Sequence, residues 1–322
     1  RAGRARGAGV NMLQLGREVQ WVLGGIAGLL VLATAVTRLL RARHPQADYH
    51  ELTQRIHAWW VMVAIFAVAL GLGTRWSIAF FGFVSFLALK EYLSLIPTRR
   101  ADRRVIFWAY LTIPVQYWWV ADGNFPMFTL FIPVWGLFIV STRMVLVQET
   151  HDFLRSVGTL QWGMMTMVFA LSHVAYLLVL PAQSGGPGEG ASLVVYLVLL
   201  TELNDVAQYV WGKSLGRHKV VPKVSPGKTV EGLVGGIVTT TALAMLLAPW
   251  LTPLDRWDAF AAGLIIGMGG FLGDITISSV KRDIGVKDSG TMIAGHGGVL
   301  DRVNSLMATA PLFFHFIRFF YY

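Results

Sequence analysis

Apolar runs of about twenty residues follow one another along nearly the whole chain, parted by short polar or basic stretches. Roughly 20 apolar residues are what an α-helix needs to cross a bilayer core. The pattern predicts spans at 21–37, 57–73, 76–96, 105–121, 125–147, 159–181, 191–211, 232–251, 258–278 and 306–322. The chain therefore reads as all-α, a polytopic integral membrane protein with about nine or ten transmembrane helices forming one membrane domain. Residues 1–20, rich in Arg, Gly and Ala at the start, read as a disordered extension. Residues 21–190 carry the N-terminal helices, and 191–322 carry helices interrupted by polar loops. Ala33-Thr34-Ala35 resembles a signal-peptidase site, but Arg38, Arg41 and Arg43 follow at once, the flank of a retained anchor.

Composition supports this reading. Apolar residues make up 55% of the 322 and charged residues 14%, a balance that soluble domains of this size rarely have. Twelve Trp and nine Tyr, many near the ends of apolar runs, suit interfacial anchoring. The absence of Cys excludes disulfides, thiolate nucleophiles and Cys-based metal sites.

Net charge of +9 first suggests nucleic acid, but its distribution points elsewhere. Alternate loops hold Arg38, Arg41, Arg43 and Arg55; Arg99, Arg100, Arg103 and Arg104; Arg143 and Arg155; Lys213, Arg217, Lys219, Lys223 and Lys228; and Lys281, Arg282, Lys287 and Arg302. These are 19 of the 27 basic residues, whereas the intervening loops hold only Arg75 and Arg256. By the positive-inside rule the basic loops face the cytoplasm and both termini lie outside. Arg1, Arg4, Arg6 and Arg17 argue the other way for the N-terminus, against nine consistent loops. No nucleic-acid partner is implied.

Ionisable groups within spans are costly, by roughly 2.5–3.5 kcal/mol each at mid-helix, so they tend to face a cavity and a partner. Lys90 and Glu91 sit late in the third span, where snorkelling or pairing with another helix competes with a functional role. Glu202, Asn204 and Asp205 interrupt the seventh span. His173 reads as a hydrogen-bonded packing residue. In the ninth span Asp274 begins the series Asp274, Ser278, Lys281 and Arg282, at i, i+4, i+7 and i+8, which gathers these side chains on one helix face. A glycine-rich loop with Gly295, His296, Gly297 and Gly298 follows. Asp301, Asn304 and Ser305 would then form a second polar face if that segment is helical.

An interhelical ion-pair network explains the charges alone. It does not explain the glycines, which suit a loop bringing backbone N–H groups to an anion, nor Lys223, Ser225 and Lys228 in the preceding basic loop. No zinc-type His cluster, phosphate-binding Walker loop, dinucleotide fingerprint or reliable Ser-His-Asp order is present. Mg²⁺ often takes one or two carboxylates plus substrate phosphates, and Asp274 with Asp301 can supply the protein part. Fixed cations around them suit metal-assisted phosphoryl or nucleotidyl transfer to a lipid head group.

Ser278-Ser279-Val280-Lys281-Arg282, Lys287-Asp288 and His296-Gly297-Gly298-Val299-Leu300-Asp301-Arg302 resemble the signature of the phosphatidate cytidylyltransferases, or CDP-diacylglycerol synthases. Asn204-Asp205 through Tyr209, Gly212-Lys213, the stretch from Pro222 to Thr229 and Glu231-Gly232 resemble that family's upstream motif. The similarity covers about the last 120 residues; upstream only Glu91-Tyr92 and the span pattern share it.

The resemblance implies that phosphatidate attacks the α-phosphate of CTP, giving CDP-diacylglycerol and pyrophosphate, with Mg²⁺ held by Asp274 and Asp301. It further implies that Ser278, Lys281, Arg282 and Lys228 line the phosphate site, with Asp205 and His296 nearby. Lys213, Lys223, Ser225, Lys287, Arg302 and Asn304 join the substrate-binding set. The family leaves room for a second cation such as K⁺ and for a homodimer, and its bacterial members lead to the cytoplasmic membrane.

Two positions depart from the pattern: Ala294, ahead of the His-Gly-Gly, and Asn304, where the signature usually ends in a second aspartate. Asn304 keeps an oxygen but removes a charge, which would weaken a second metal site. The competing readings are a CTP-dependent polyprenol kinase, attacked at the γ-phosphate by a lipid alcohol, and a non-catalytic carrier of lipid or phosphorylated solute.

Overall fold

The computed structural model describes residues 15–44, 48–96, 102–148, 151–185, 189–290 and 297–322. His296 and Ala294 lie outside the described residues, as do residues 1–14 of the N-terminal extension and Arg99 and Arg100. Twelve helical elements run through the described residues. They are α1 (Arg17–Arg43), α2 (His50–Gly71), α3 (Thr74–Leu95), α4 (Asp102–Asp122), α5 (Phe125–Leu146) and α6 (153–177) in the first half. A short α7 (Leu180–Ser184) precedes α8 (Gly190–Leu215), α9 (Val230–Leu251), α10 (Arg256–Asp283), α11 (Leu300–Val303) and α12 (Leu306–Tyr321). No strand occurs among the described residues, only an isolated bridge between Lys219 and Thr229.

All ten segments expected to span are helical, and seven (α1, α2, α3, α5, α8, α9 and α10) are long and apolar enough to cross a membrane. The chain is thus a helical membrane protein, with seven such helices among the described residues. The other three are less apolar or shorter. Helix α4 opens on Asp102-Arg103-Arg104, α6 carries Gln161 and His173, and α12 has 16 residues. Helices also extend past the expected spans: α1 reaches Arg43 and α2 starts at His50, so the arginines counted as loop charges are helical. Arg is a good helix former and can hold its head group in water while its stem stays on the helix surface.

Two π-helical stretches, Phe131–Gly136 and Met164–Ala170, interrupt α5 and α6. Between them and α12 lies an aromatic cluster in which His173 is fully buried, its Nδ1 2.8 Å from the Phe169 carbonyl and its ring 4.8 Å from that of Phe128. His173 is a packing residue.

Buried apolar residues run from α3 through α6 to α8, α10 and α12, so the packed core is shared by both halves of the chain, while α1 is largely exposed. Small residues make this possible, since lipid supplies no hydrophobic drive between helices and close backbone approach must do the work. A Cβ at Gly263 of α10 would stand 2.5 Å from the Thr241 Cα of α9. Polar side chains add to the packing: Asn204 of α8 donates to the Gly267 carbonyl at 3.3 Å and accepts from Thr240 at 3.1 Å.

Candidate active site

Three elements carry the polar residues to one place. Helix α10 starts on an Asp255 cap, whose carboxylate accepts the Trp257 and Asp258 N–H groups at 2.8 Å, and runs unbroken to Asp283. Asp274 therefore sits about five turns in, with Lys281 about two turns later. Gly273 sets the depth of contact beside it. A Cβ there would come 2.4 Å from the Asn304 carbonyl oxygen, so only glycine lets α10 touch the 304–305 turn.

Between α8 and α9, residues 218–230 fold back on themselves. Val230 N–H donates to the His218 carbonyl at 2.8 Å and Val220 N–H to the Lys228 carbonyl at 3.2 Å. Glu231 anchors the near strand of this turn, accepting from the Arg217 N–H at 3.0 Å with its other oxygen 2.6 Å from His218 Nδ1. Thr229 caps α9 through the Gly232 N–H at 3.1 Å. The result projects Lys228 toward α10. Its Nζ lies 2.8 Å from Asp274 Oδ2 and 3.0 Å from Gln208 Oε1.

The third element is the 297–305 segment. Gly297 takes φ +78°, a left-handed conformation that glycine adopts freely. The chain then turns so that Asp301 faces back along its own loop. One Asp301 oxygen meets Lys281 Nζ at 2.7 Å; the other accepts from Ser289 N–H at 3.0 Å, Ser289 Oγ at 2.9 Å and Gly298 N–H at 3.1 Å. Burial pushes this carboxyl up, but Lys281 and the two backbone N–H groups outweigh it, and the group lies below the usual carboxylate range. The expected single polar face of Asp301, Asn304 and Ser305 does not form. Helix α11 stops at Val303, and the three side chains diverge to separate partners. Asn304 Nδ2 donates to Asp274 Oδ1 at 2.7 Å, and Ser305 Oγ donates to Asp205 Oδ2 at 2.7 Å.

These groups share a cavity of about 430 Å³ lined by Asp205, Lys228, Asp274, Asp301, Arg302 and Asn304, together with Glu202, Val206, Tyr209, Arg55 and Trp59. Among the described residues, Asp205 Oδ1 is buried without a partner, and so is Arg302 Nε. An orphaned acceptor and donor beside an open volume are what a polar ligand would satisfy.

Other residues singled out from the sequence lie elsewhere. Arg282 is turned away from the carboxylates, its Nε donating to the Val224 carbonyl at 3.0 Å and thereby tying α10 to the 218–230 turn. Lys213 is exposed, 5.7 Å from the Tyr209 ring; Lys223 and Lys287 are exposed as well. Ser225 closes the turn, its carbonyl accepting the Lys228 N–H at 3.2 Å. Ser278, half-buried, occupies the turn after Asp274 but does not line the cavity.

Four contributors escaped the sequence reading. Arg55 and Trp59, one turn apart on α2, form a cavity wall. Arg55 is a helix residue rather than a loop charge, ion-paired with Glu51 one turn back at 2.6 Å. Gln208 holds Lys228, and Glu202 was visible as a polar residue within a span but received no role.

The sequence model of the cytidylyltransferase family matches residues 53–320, nearly the whole described chain and every element of this cavity. The chain belongs to the cytidylyltransferase family. Among its relatives, the phosphatidate cytidylyltransferase of Haemophilus influenzae is 30% identical over 301 residues, covering 83% of this chain and 99% of the relative. That of Staphylococcus aureus strain COL is 38% identical over 125 residues, covering 38% of this chain and 48% of the relative. The uncharacterized protein YnbB of Escherichia coli K12 is 49% identical over 298 residues, covering 92% of this chain and 97% of that protein. Membership makes the chain a nucleotidyltransferase and makes the cavity its candidate active site.

Proposed function

We propose that the protein transfers the cytidylyl group of CTP to phosphatidate or a related lipid phosphate, giving CDP-diacylglycerol and pyrophosphate. The observation that carries this reading is the cavity itself. It joins the Lys228–Asp274–Asn304 cluster and Asp301 to a wall of Trp59, Val206 and Tyr209, of which Val206 and Tyr209 are exposed on the apolar helix surface. A soluble nucleotide and a lipid phosphate need such a two-natured site.

In the proposed reaction an oxygen of the lipid phosphomonoester attacks the α-phosphorus of CTP. The bond from that phosphorus to the bridging oxygen breaks, and pyrophosphate leaves with the bonding electrons. Negative charge builds on the α-phosphoryl oxygens during transfer. Lys228 and Arg302, both on the cavity wall, are the fixed cations that would stabilise it. Arg55 lies on the α2 wall, where it would meet the lipid phosphate. Lys281 keeps Asp301 oriented and ionised.

Mg²⁺ fits this donor set. Four carboxylates, Glu202, Asp205, Asp274 and Asp301, line the cavity, and Asp205 Oδ1 has no partner among the described residues. Among the described residues no three acidic or His side chains are clustered closely enough to cage a metal by themselves. That arrangement suits an ion which habitually takes one or two carboxylates and completes its shell with substrate phosphates and water. We assign Asp274 and Asp301 as the protein ligands; when bound, the ion would neutralise phosphate charge and align the reacting groups. The charge bias of the loops supports a cytoplasmic position for the site.

Asp274→Ala and Asp301→Ala test the assignment. Each should abolish cytidylyl transfer while the purified protein stays monodisperse and helical. Near-normal turnover in either would remove that residue from the site.

A further inference from the structure

Glu91 lies on α3, in the half of the chain that contributes the membrane-exposed helices, yet its side chain is buried against the C-terminal loop. The residue is 8% exposed. Its Oε2 accepts the Leu300 N–H at 2.6 Å across 209 residues of sequence, and Ser289 Oγ lies 3.3 Å away. Leu300 opens α11 and directly precedes Asp301. Ser289 is the residue whose N–H and hydroxyl both reach Asp301. Glu91 thus touches both ends of the 289–300 segment, and Asp301 hangs from the same two points.

The loop backbone is shaped to admit this carboxylate. A Cβ at Gly298 would come 2.1 Å from Glu91 Oε1, and one at Gly290 would come 2.5 Å from it. Both glycines are needed for that approach. A buried carboxylate is costly unless hydrogen-bonded, and a buried N–H at a helix start needs an acceptor. The two requirements are met by each other here. Ser289 has a single hydroxyl proton, so it donates to Asp301 or to Glu91 but not to both; the shorter distance favours Asp301. The Leu300 N–H is then the contact that fixes Glu91.

We propose that Glu91 is a positioning residue of the active centre, holding the Leu300 N–H and seated against Gly290 and Gly298 so that Asp301 stays directed at Lys281 and the cavity. In this view α3 is part of the catalytic apparatus and not only a membrane anchor. The inference rests on the reading of Asp301 as a site residue. Misplacement of a catalytic group by about 1 Å can cost about a hundredfold in rate.

The test combines hydrogen exchange with kinetics on the full-length protein in detergent. Glu91→Ala should raise amide exchange in the peptide covering 297–303 by about tenfold or more, leaving peptides from α8 and α9 unchanged. It should lower kcat about a hundredfold with KM for CTP within about threefold of wild type. Glu91→Gln, which retains a carbonyl acceptor for Leu300, should restore both readouts to within about fivefold. Gly298→Ala, pressing on the carboxylate from the loop side, should reproduce the Glu91→Ala exchange pattern, and it serves as the second variant if Glu91→Ala does not fold.

Unchanged exchange at 297–303 in both Glu91→Ala and Gly298→Ala would overturn the proposal. So would a rise spread evenly over α8 and α9, or a Glu91→Gln protein no better than Glu91→Ala. If wild type shows no cytidylyl transfer, the functional reading fails, while the exchange pattern still decides whether Glu91 clamps the loop.

Discussion

Asn304 donates its side-chain amide to Asp274 Oδ1 at 2.7 Å, while the other oxygen of the same carboxylate takes Lys228 at 2.8 Å. An aspartate at 304 would put two carboxylates in that contact and leave one charge without its counterion. Asn304→Asp should therefore make the protein depend on a divalent cation for stability. Its thermal unfolding temperature should be lower than wild type without Mg²⁺ and rise more steeply with it, with the Mg²⁺ midpoint about tenfold lower, or about 1.4 kcal/mol. The same titration midpoint in both proteins would contradict this role for Asn304.

The Lys281–Asp301 pair is almost wholly buried, its side chains 12% and 8% exposed. Removing one partner strands a charge, at a cost of about 3–5 kcal/mol, whereas removing both leaves nothing to solvate. Lys281→Met alone should be markedly destabilising, and Lys281→Met with Asp301→Asn should recover most of that loss in denaturant unfolding. Both should be inactive. A double variant less stable than Lys281→Met would show that the pair is not coupled as described.

The pH dependence follows from Asp301. Its carboxyl titrates below the usual carboxylate value of about 4, so the native state binds its proton more weakly than the unfolded chain does. Its contribution to stability is then fully present above pH of about 4 and is lost as pH falls through the depressed native value. The stability difference between wild type and Asp301→Asn should stay flat from about pH 7 to 5 and shrink only in stronger acid. A difference that already shrinks between pH 7 and 5 would contradict the assignment.

Gly273 is the contact that lets α10 reach Asn304. Gly273→Ala places a methyl group 2.4 Å from the Asn304 carbonyl oxygen, so the 304–305 turn must move. Turnover should fall by at least about tenfold, in keeping with the cost of small displacements at a reacting centre. Wild-type activity in this variant would show that the Asp274–Asn304 contact does not matter for catalysis.

Arg55 lies on the α2 wall beside Trp59, Val206 and Tyr209. Arg55→Ala should raise KM for the lipid phosphate about tenfold and leave KM for CTP nearly unchanged, as expected when one charge-assisted phosphate contact is lost. A rise confined to CTP would reverse the placement of the two substrates.

Much of this was legible in the sequence because span length and motif spacing are local properties. Asp274 and Lys281 share a face of one long helix, and Asp205, Lys228 and Asn304 were all drawn from ordered motifs that the fold brings to one cavity. What spacing could not reveal were directions set by tertiary partners. Arg282 shares the Asp274 face on a helical wheel, yet the Val224 carbonyl draws it away. Asp301, Asn304 and Ser305 diverge because α11 ends at Val303 and each side chain meets a different helix or loop. Glu91 showed in the sequence only as an ionisable group late in a span, and Arg55 only as one basic residue among several. The partners of Glu91, Leu300 and Ser289, lie 209 and 198 residues away, and the cavity that Arg55 lines is completed by residues of the C-terminal half, so only the packing of α2 and α3 against that half reveals these roles.

The most direct measurement uses purified protein in detergent with Mg²⁺, phosphatidate and CTP labelled in parallel on the cytosine ring and on the γ-phosphate. The expected result is cytosine label in the lipid, γ-label in released pyrophosphate and loss of both in Asp274→Ala. Transfer of γ-label to a lipid alcohol with release of CDP, or binding of nucleotide and lipid without turnover, would contradict the proposed cytidylyl transfer.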